Sequence, residues 1–235
     1  MKDFSKRSTE IEIMDHYKGS KESLQAILND INRVNRLLGG YAITLNAVFQ
    51  LIAEKRKESY TILDMGCAEG TMLRKLALAA RKRKIKVQLI GVDLNAQSLE
   101  LARRNSVEFP EIRYMQRDIL SAEFLPAQFD IVMTTLTLHH FNDMEIVRFL
   151  KRFVSLASIG VVINDLQRNP LAYYLFKVFG LFFIKTEIAQ KDGLLSILRA
   201  FKRRELMGYA HQVDGADHYI KWKWAFRYLW ILKKK

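Results

Sequence analysis

Ile62-Leu63-Asp64-Met65-Gly66-Cys67-Ala68-Glu69-Gly70 is the stretch on which the fold turns: an apolar strand ends in an acid, a small-residue turn follows, and a helix begins near Thr71. Gly66 has access to backbone angles closed to other residues and lets a ligand lie against the main chain. The place is the carboxyl edge of a sheet, where open α/β folds bind their ligands. A tight strand-to-helix turn without a ligand would satisfy the same residues. Working outward, short β-rich runs at 60–65, 87–93, 112–116, 129–136 and 160–165 alternate with helical stretches. Near-continuous apolar strands separated by helices indicate a parallel sheet covered on both faces. The last segment alternates Ile220, Trp222, Trp224, Phe226, Tyr228 and Trp230 with Lys221, Lys223 and Arg227, which reads as two strands turning near 224–226. Upstream, Leu24, Ile27, Leu28, Ile31, Val34, Leu37 and Leu38 recur at helical spacing from Ser20 until Gly39-Gly40, and a second helix runs from Tyr41 to about Lys57. Asn142 with Glu145 is a capping box opening the helix after the fourth strand. The expected architecture is α/β, five parallel strands plus a C-terminal antiparallel hairpin, with a helical N-terminal cap.

Composition sets the bounds. The chain has 235 residues, 49% hydrophobic, with 38 Lys+Arg against 25 Asp+Glu and a formal charge of +13. That is one domain's worth of chain with material for a core, and it excludes a disordered tail, a disulfide scaffold and a collagen-like repeat. The longest run without a charge, 37–53, contains Gly39, Gly40, Thr44, Asn46 and Gln50 and is too short and polar to span a bilayer. The N-terminus has no apolar signal region and Cys67 is the only cysteine, so a cytoplasmic protein is expected. The positive balance favours an anionic partner, nucleic acid or lipid headgroups, although solubility explains part of it.

Two further acids end strands in successive units. Asp93 closes Leu89-Ile90-Gly91-Val92-Asp93, where a carboxylate accepts from both hydroxyls of a ribose. Asp118 follows the third strand, where it could accept from an exocyclic amine such as that of adenine, with Ile119 or Leu94 covering the ring. Each acid also suits a helix N-cap.

The run Asp64 to Gly70, then Asp93, then Asp118, resembles the class I S-adenosylmethionine-dependent methyltransferases over about 60–166. The resemblance implies a Rossmann-like sheet, S-adenosylmethionine as cofactor, and a cofactor set of Asp64, Gly66, Cys67, Gly70, Asp93, Leu94, Asp118, Ile119 and Thr134. Ala68 stands where a middle glycine is common in the family. A dinucleotide-binding dehydrogenase shares the first two motifs, but the terminal hairpin and Asp118 favour the methyl donor. Outer motifs, Asn35-Arg36-Leu37-Leu38-Gly39-Gly40, Ile163 to Arg168, Asp192 to Phe201 and Trp224-Ala225-Phe226-Arg227, are similar to those of bacterial methyltransferases acting on phenolic or quinone-like lipids, including those accompanying polyketide synthases. The implied division is a single domain with a cap at 1–58, a cofactor-binding core at 59–166, a substrate lid and helix at 167–210 and terminal strands at 211–235.

On the substrate side, Thr137-Leu138-His139-His140-Phe141 follows the fourth strand where cofactor and substrate should meet, and histidine is the side chain most readily neutral near pH 7. His139 and His140 are therefore candidates for proton transfer, with packing around the cofactor as the plainer role. Asp165 at the end of the fifth strand competes as base, or holds the following loop or Arg168. Tyr173, Tyr174 and Arg199 are expected to meet the substrate. LAYYLFKVFGLFFI, 171–184, has one charge and six aromatics, and serves as a greasy substrate wall, a surface dipping into a membrane beside Lys177 and Lys185, or a buried core helix. Basic runs at 81–84, 202–204 and 233–235 read as solvated faces, and no nucleic-acid module is visible. No metal signature is visible either, since the histidines are adjacent rather than a helical turn apart and Cys67 belongs to the cofactor turn. The expected function is O-methylation of a small hydroxylated aromatic, a hydrophobic phenolic lipid among them. The alternatives are an RNA or protein methyltransferase, or a cofactor-binding assembly partner without turnover.

Overall fold

The computed structural model describes residues 2–118 and 129–235. In chain order the helices are α1 (Lys21–Leu37), α2 (Gly40–Glu54), α3 (Thr71–Lys82), α4 (Ala96–Asn105), α5 (Asp143–Leu156), α6 (Pro170–Phe183), α7 (Glu187–Arg199) and α8 (Arg203–Ala210). The strands are β1 (Ser59–Met65), β2 (Lys86–Asp93), β3 (Ile112–Gln116), β4 (Phe129–Thr135), β5 (Ala157–Leu166), β6 (Ala216–Lys223) and β7 (Arg227–Lys234).

These strands form one sheet in the order β3-β2-β1-β4-β5-β7-β6. The first five are parallel, and β7 lies antiparallel between β5 and β6. This is the Rossmann-like arrangement with a terminal hairpin that the sequence leads one to expect. The order reverses between β1 and β4, so the carboxyl ends of those strands flank a crevice. Alternation on β1 sends Leu63 and Met65 into one apolar cluster with Val132, Phe149 and Trp230, and Ile62 into the other with Val48, Leu73 and Ile131.

Element boundaries follow local chemistry. Ser20 caps α1 by accepting from the Ser23 amide, and Asn142 and Glu145 form the reciprocal capping box of α5. β5 starts three residues before the expected 160 because Ala157 follows α5 directly, with no turn residue to separate them. The N-terminal cap is helical only from α1 onward. Before it an extended arm, broken by a single 3-10 turn at Ile13–His16, runs over α7 and the turn after β4. Among the described residues no single helix is long and apolar enough to cross a membrane.

Candidate functional site

The crevice at the carboxyl ends of β1 and β4 opens into a cavity of about 580 Å³, within the range of small-molecule sites. One rim is the β1–α3 turn. Gly66 and Gly70 sit at φ 77° and 78°, where a side chain is disfavoured, and the crowding compounds it. A Cβ on Gly66 would lie 2.5 Å from the Thr137 side chain, and one on Gly70 2.1 Å from the Tyr114 hydroxyl. Ala68, in the place of the missing family glycine, is itself left-handed at φ 47°. Asp64, Gly66, Cys67 and Ala68 line the cavity.

Asp64 is buried, and among the described residues no hydrogen bond reaches its carboxyl. Burial, with the negative charge of Asp93 added, pushes it up to about 8. Such an acid is a receptor for positive charge. Asp93 ends β2, as expected, but its carboxylate accepts the backbone amides of Ala68 (2.8 Å) and Asn95 (2.9 Å), tying two turns together just behind the cavity lining. Burial raises its pKa, and those backbone hydrogen bonds oppose the rise. Leu94 and Asp118 are exposed outside the lining, and Ile119 falls outside the described residues. Thr134 requires correction. Its hydroxyl donates to the Met65 carbonyl at 2.8 Å inside the sheet, and it is the next residue, Thr135, that alternation turns to the cavity.

The opposite wall is assembled from remote segments. His139 is buried in the 3-10 turn Leu138–His140, with Nδ1 2.7 Å from Asp165 Oδ1 and Nε2 3.4 Å from Glu12 Oε1. Burial alone would lower its pKa, but Asp165 and Glu12 more than offset that and carry it up to about 10. The expectation of a neutral histidine base is therefore not met at His139, because carboxylates face both ring nitrogens. His140 lies with Nδ1 2.9 Å from Asp15 Oδ1 and Nε2 3.9 Å from Glu12 Oε2. Asp165 is held low: its interactions with His139 and the Leu166 amide outweigh the burial that would raise it.

Arg199 also differs from expectation. Its guanidinium donates to the backbone carbonyls of His139 (3.2 Å), His140 (2.6 Å) and Glu10, so it clamps the histidine turn to the arm and does not line the cavity. Arg7 adds bonds to the His139 and Phe141 carbonyls, and Asp192 accepts from the Ile13 and Met14 amides. Tyr173 is buried edge-on against Phe4 at 5.6 Å, and Tyr174 faces outward. The face of α6 that lines the cavity carries Ala172, Leu175, Phe176 and Phe179 instead. Sequence reasoning missed Glu12, and it names Asp192 and Arg227 only within the outer motifs, without a role in the site. Arg227 is buried on the cavity wall, bonded through Nη2 to Asn35 at 2.8 Å, with Nε and Nη1 unpartnered among the described residues. Its signal, an arginine at the start of an apolar strand, was available; Glu12 offered only the short alternation Ile11-Glu12-Ile13.

The family model described as a methyltransferase domain matches residues 62–160. Among curated proteins, the ubiquinone biosynthesis O-methyltransferase of Bordetella pertussis is 32% identical over 124 residues, 51% of this chain and 47% of the relative. The chain spans about half the length or less of the first curated relatives it matches. The carboxy-S-adenosyl-L-methionine synthase of Campylobacter hominis is 24% identical across 91% of this chain and 93% of that one. Of solved structures, the plantazolicin methyltransferase BamL, crystallised with SAH and a triazolic desmethylPZN analog, superposes with a TM-score of 0.68 at 16% identity, covering 94% and 93%. With the sheet order and the glycine turn, these matches show a methyltransferase domain over residues 62–160 set in a Rossmann-like fold. S-adenosylmethionine is the cofactor that this resemblance implies. The turn fits that molecule: a cradle that a Cβ on Gly66 would crowd, beside a buried acid in want of a positive charge.

Proposed function

We propose that the protein O-methylates a hydroxylated aromatic that carries a hydrophobic tail. The observation that carries this reading is the polarity of the cavity: its charged groups gather at the β1–α3 turn, at the histidine turn with Glu12 of the arm and Asp192 of α7 beside it, and at Arg227, while α1, α6 and the rest of α7 supply a wall of Leu28, Ile31, Leu175, Phe176, Phe179 and Ile197. A substrate matching this surface has a polar, oxygen-bearing head and an apolar body. The similarity to a ubiquinone biosynthesis O-methyltransferase supports the same class.

When bound, S-adenosylmethionine supplies a methyl group already activated on a sulfonium. The chain's residues hold and orient. Gly66 and its neighbours would present backbone, Asp64 would face the cationic end, and Asp93 would receive the ribose after releasing one of its turn amides. Asp118 is the candidate for the adenine amine. The arm and α6 exclude water from the reacting centre, the main service such a site renders when its cofactor is pre-activated.

The outward face of α6 extends the reading. Leu171, Val178, Leu181 and Phe182 are exposed beside Lys177 and Lys185, on the helix whose inner face lines the cavity. Such a helix suits peripheral contact with an anionic membrane holding a tailed substrate. The basic run 81–84 closes α3 at the other edge of the sheet, away from the cavity, which disfavours nucleic acid as substrate. Incubation with methyl-labelled cofactor and separate pools of alkyl phenols, short polar phenols, RNA and protein tests the proposal. Label is expected in the alkyl phenols; label confined to RNA or protein, or no label despite cofactor binding, overturns it.

A further inference from the structure

Four carboxylates and two imidazoles meet where the N-terminal arm crosses the histidine turn, and their arrangement is more ordered than a general ion-pair cluster. Both rings turn Nδ1 to a carboxylate of their own, Asp165 for His139 and Asp15 for His140. Both turn Nε2 toward the one remaining carboxylate in reach, that of Glu12. Asp192, the fourth, stays on the arm amides of Ile13 and Met14. Glu12 is oriented in turn by the Ser196 hydroxyl at 2.9 Å. Among the described residues His139 Nε2 and His140 Nδ1 are buried and make no hydrogen bond.

We propose that Glu12, His139 and His140 form a binding site for a divalent transition-metal ion of the zinc class, through the Glu12 carboxylate and the two Nε2 atoms. Zinc bonds to nitrogen and oxygen of about 2.0–2.1 Å at tetrahedral angles set neighbouring ligand atoms about 3.3–3.4 Å apart. The Glu12 Oε1 to His139 Nε2 distance is 3.4 Å and the Glu12 Oε2 to His140 Nε2 distance 3.9 Å, and a ligand atom from each residue lies within 4.8 Å of the others. One edge of the tetrahedron thus has its length already, and the others close with small side-chain movements. Two histidines and a glutamate leave a fourth position open, the pattern of catalytic rather than structural zinc.

The surroundings fit a metal in two further ways. Metal-bound histidines commonly donate their other ring N–H to a carboxylate, which fixes the tautomer and raises ligand basicity; His139 has that hydrogen-bond partner in Asp165, and His140 Nδ1 has the Asp15 carboxylate 2.9 Å away as an ion-pair neighbour. The immediate cluster of Glu12, Asp15 and Asp165 around two imidazoles also has an anionic surplus that a dication would neutralise. Donors of nitrogen and oxygen without thiolate favour zinc, cobalt or manganese over Cu(I). All three ligand residues line the cavity, so the open position faces the substrate space. On the reading given under Proposed function, that position would receive the oxygen to be methylated; the site itself is independent of that reading. Adjacent histidines are not a zinc motif along one helix. They serve here because they occupy a 3-10 turn and the third ligand arrives from the arm.

The test uses the full chain after dialysis against chelator, titrated with Zn²⁺ by calorimetry and with Co²⁺ by visible absorption, where tetrahedral cobalt has an intense band. One ion per chain is expected. Glu12→Gln and His140→Ala should each weaken binding at least about tenfold, and Cys67→Ser, which removes the lone thiol, should leave it unchanged. Asp15→Asn alters only the group behind His140 and guards against loss of fold in the other variants; by the usual effect of such partners it should weaken binding about tenfold. The proposal is overturned if the wild type takes up neither ion stoichiometrically, or if folded Glu12→Gln, His140→Ala and Asp15→Asn chains bind as the wild type does. Neither readout involves a substrate, so failure of the phenol reading and failure of the metal site are separately visible.

Discussion

At the cofactor rim, the turn from Asp64 to Gly70 is written in seven consecutive residues, whereas the wall across the cavity draws Glu12, His139, Asp165 and Asp192 from four segments spread along the chain. The two are also held differently. The rim depends on backbone geometry at Gly66, Ala68 and Gly70. The wall depends on buried arginines that donate to carbonyls, Arg199 to the arm and the histidine turn, Arg168 to Phe4, Ser5 and Ala200. A contiguous turn tolerates change elsewhere in the molecule; a wall stitched from remote pieces fails when a stitch is cut.

The largest effect is therefore expected at Arg168. It is buried and paired with Glu205 besides its three carbonyl acceptors, so Arg168→Ala leaves the buried Ala200 carbonyl and the partly buried oxygens of Phe4, Ser5 and Glu205 without this donor. Breaking such a network costs about 3–5 kcal/mol. Urea denaturation should show a loss of that order. A loss below about 1 kcal/mol would mean the arm is held by other contacts and would erase the contrast drawn above.

Gly66→Ala tests the rim. Forcing a methyl group at φ 77° against Thr137 should cost about 2–3 kcal/mol by strain and overlap, read as a loss of roughly a hundredfold in cofactor affinity by calorimetry. The arm should be untouched, so proteolysis at 1–20 should proceed as in wild type. Parallel loss of both would show that rim and wall are one cooperative unit.

That contrast also explains what could be read in advance. Parallel strands and the glycine turn are local patterns of burial and backbone angle, and a run of seven residues displays them. Thr134 was misplaced by one residue because strand phase, not residue type, decides which threonine reaches the cavity. Tyr173 and Tyr174 were misassigned because α6 is apolar around most of its circumference, and only packing against α7, where Phe176 meets Gly193 closely, tells which face is inside. Arg199 is expected to meet the substrate, and in the structure it holds the histidine turn to the arm. Its acceptors are backbone carbonyls, which carry no sequence signal at all. Glu12 enters through tertiary contact of the arm.

Charge at the rim gives a pH signature that starts lower than the wall's, where His139, carried up to about 10, loses stability only above about 6.5. With Asp64 at about 8 in the folded chain and about 3.9 in the unfolded one, the folded state binds the extra proton between those values, so stability falls as pH rises from about 4 to about 8. Cys67, raised by burial, and Tyr114, raised to about 12, stay neutral across that window, and Asp93 is the neighbouring charge. The cofactor-free chain should lose thermal stability between pH 6 and 8, and Asp64→Asn should lower the slope to the part that His139 contributes above about 6.5. Affinity for a cofactor with a cationic end should rise over the same interval, about tenfold, and level off above it. A rise that persists unchanged in Asp64→Asn would assign the signature to another group.

The outer face of α6 distinguishes a wall that only encloses substrate from one that also meets a membrane. Leu181 and Phe182, 71% and 77% exposed, make no contribution to the cavity lining, so replacing both by Ser should spare the fold. Insertion of such side chains contributes about 1–2 kcal/mol each, independent of salt, whereas the attraction of Lys177 and Lys185 for anionic lipid is screened. Sedimentation with anionic vesicles should fall roughly tenfold or more in the double variant at high salt. Wild type that ignores such vesicles at low salt would leave α6 as an enclosing wall alone.

The smallest effect is expected where the rim departs from its family pattern. Ala68 holds φ 47°, a conformation that costs an L-residue roughly 1–2 kcal/mol, and its amide is already engaged by Asp93 at 2.8 Å. Ala68→Gly removes the steric cost but gives the unfolded chain more freedom, which returns about 0.4–1 kcal/mol. The net is a stabilisation of about 0.5–1 kcal/mol, a rise of a few degrees or less in the thermal midpoint, with cofactor affinity equal to wild type or slightly better. The sign is the informative part. If Ala68→Gly destabilises the chain, the alanine methyl group makes a packing contact worth more than the strain it causes. It sits against the α1 and α4 residues Leu24, Leu28 and Leu101, and that contact would then tie the rim to the N-terminal cap.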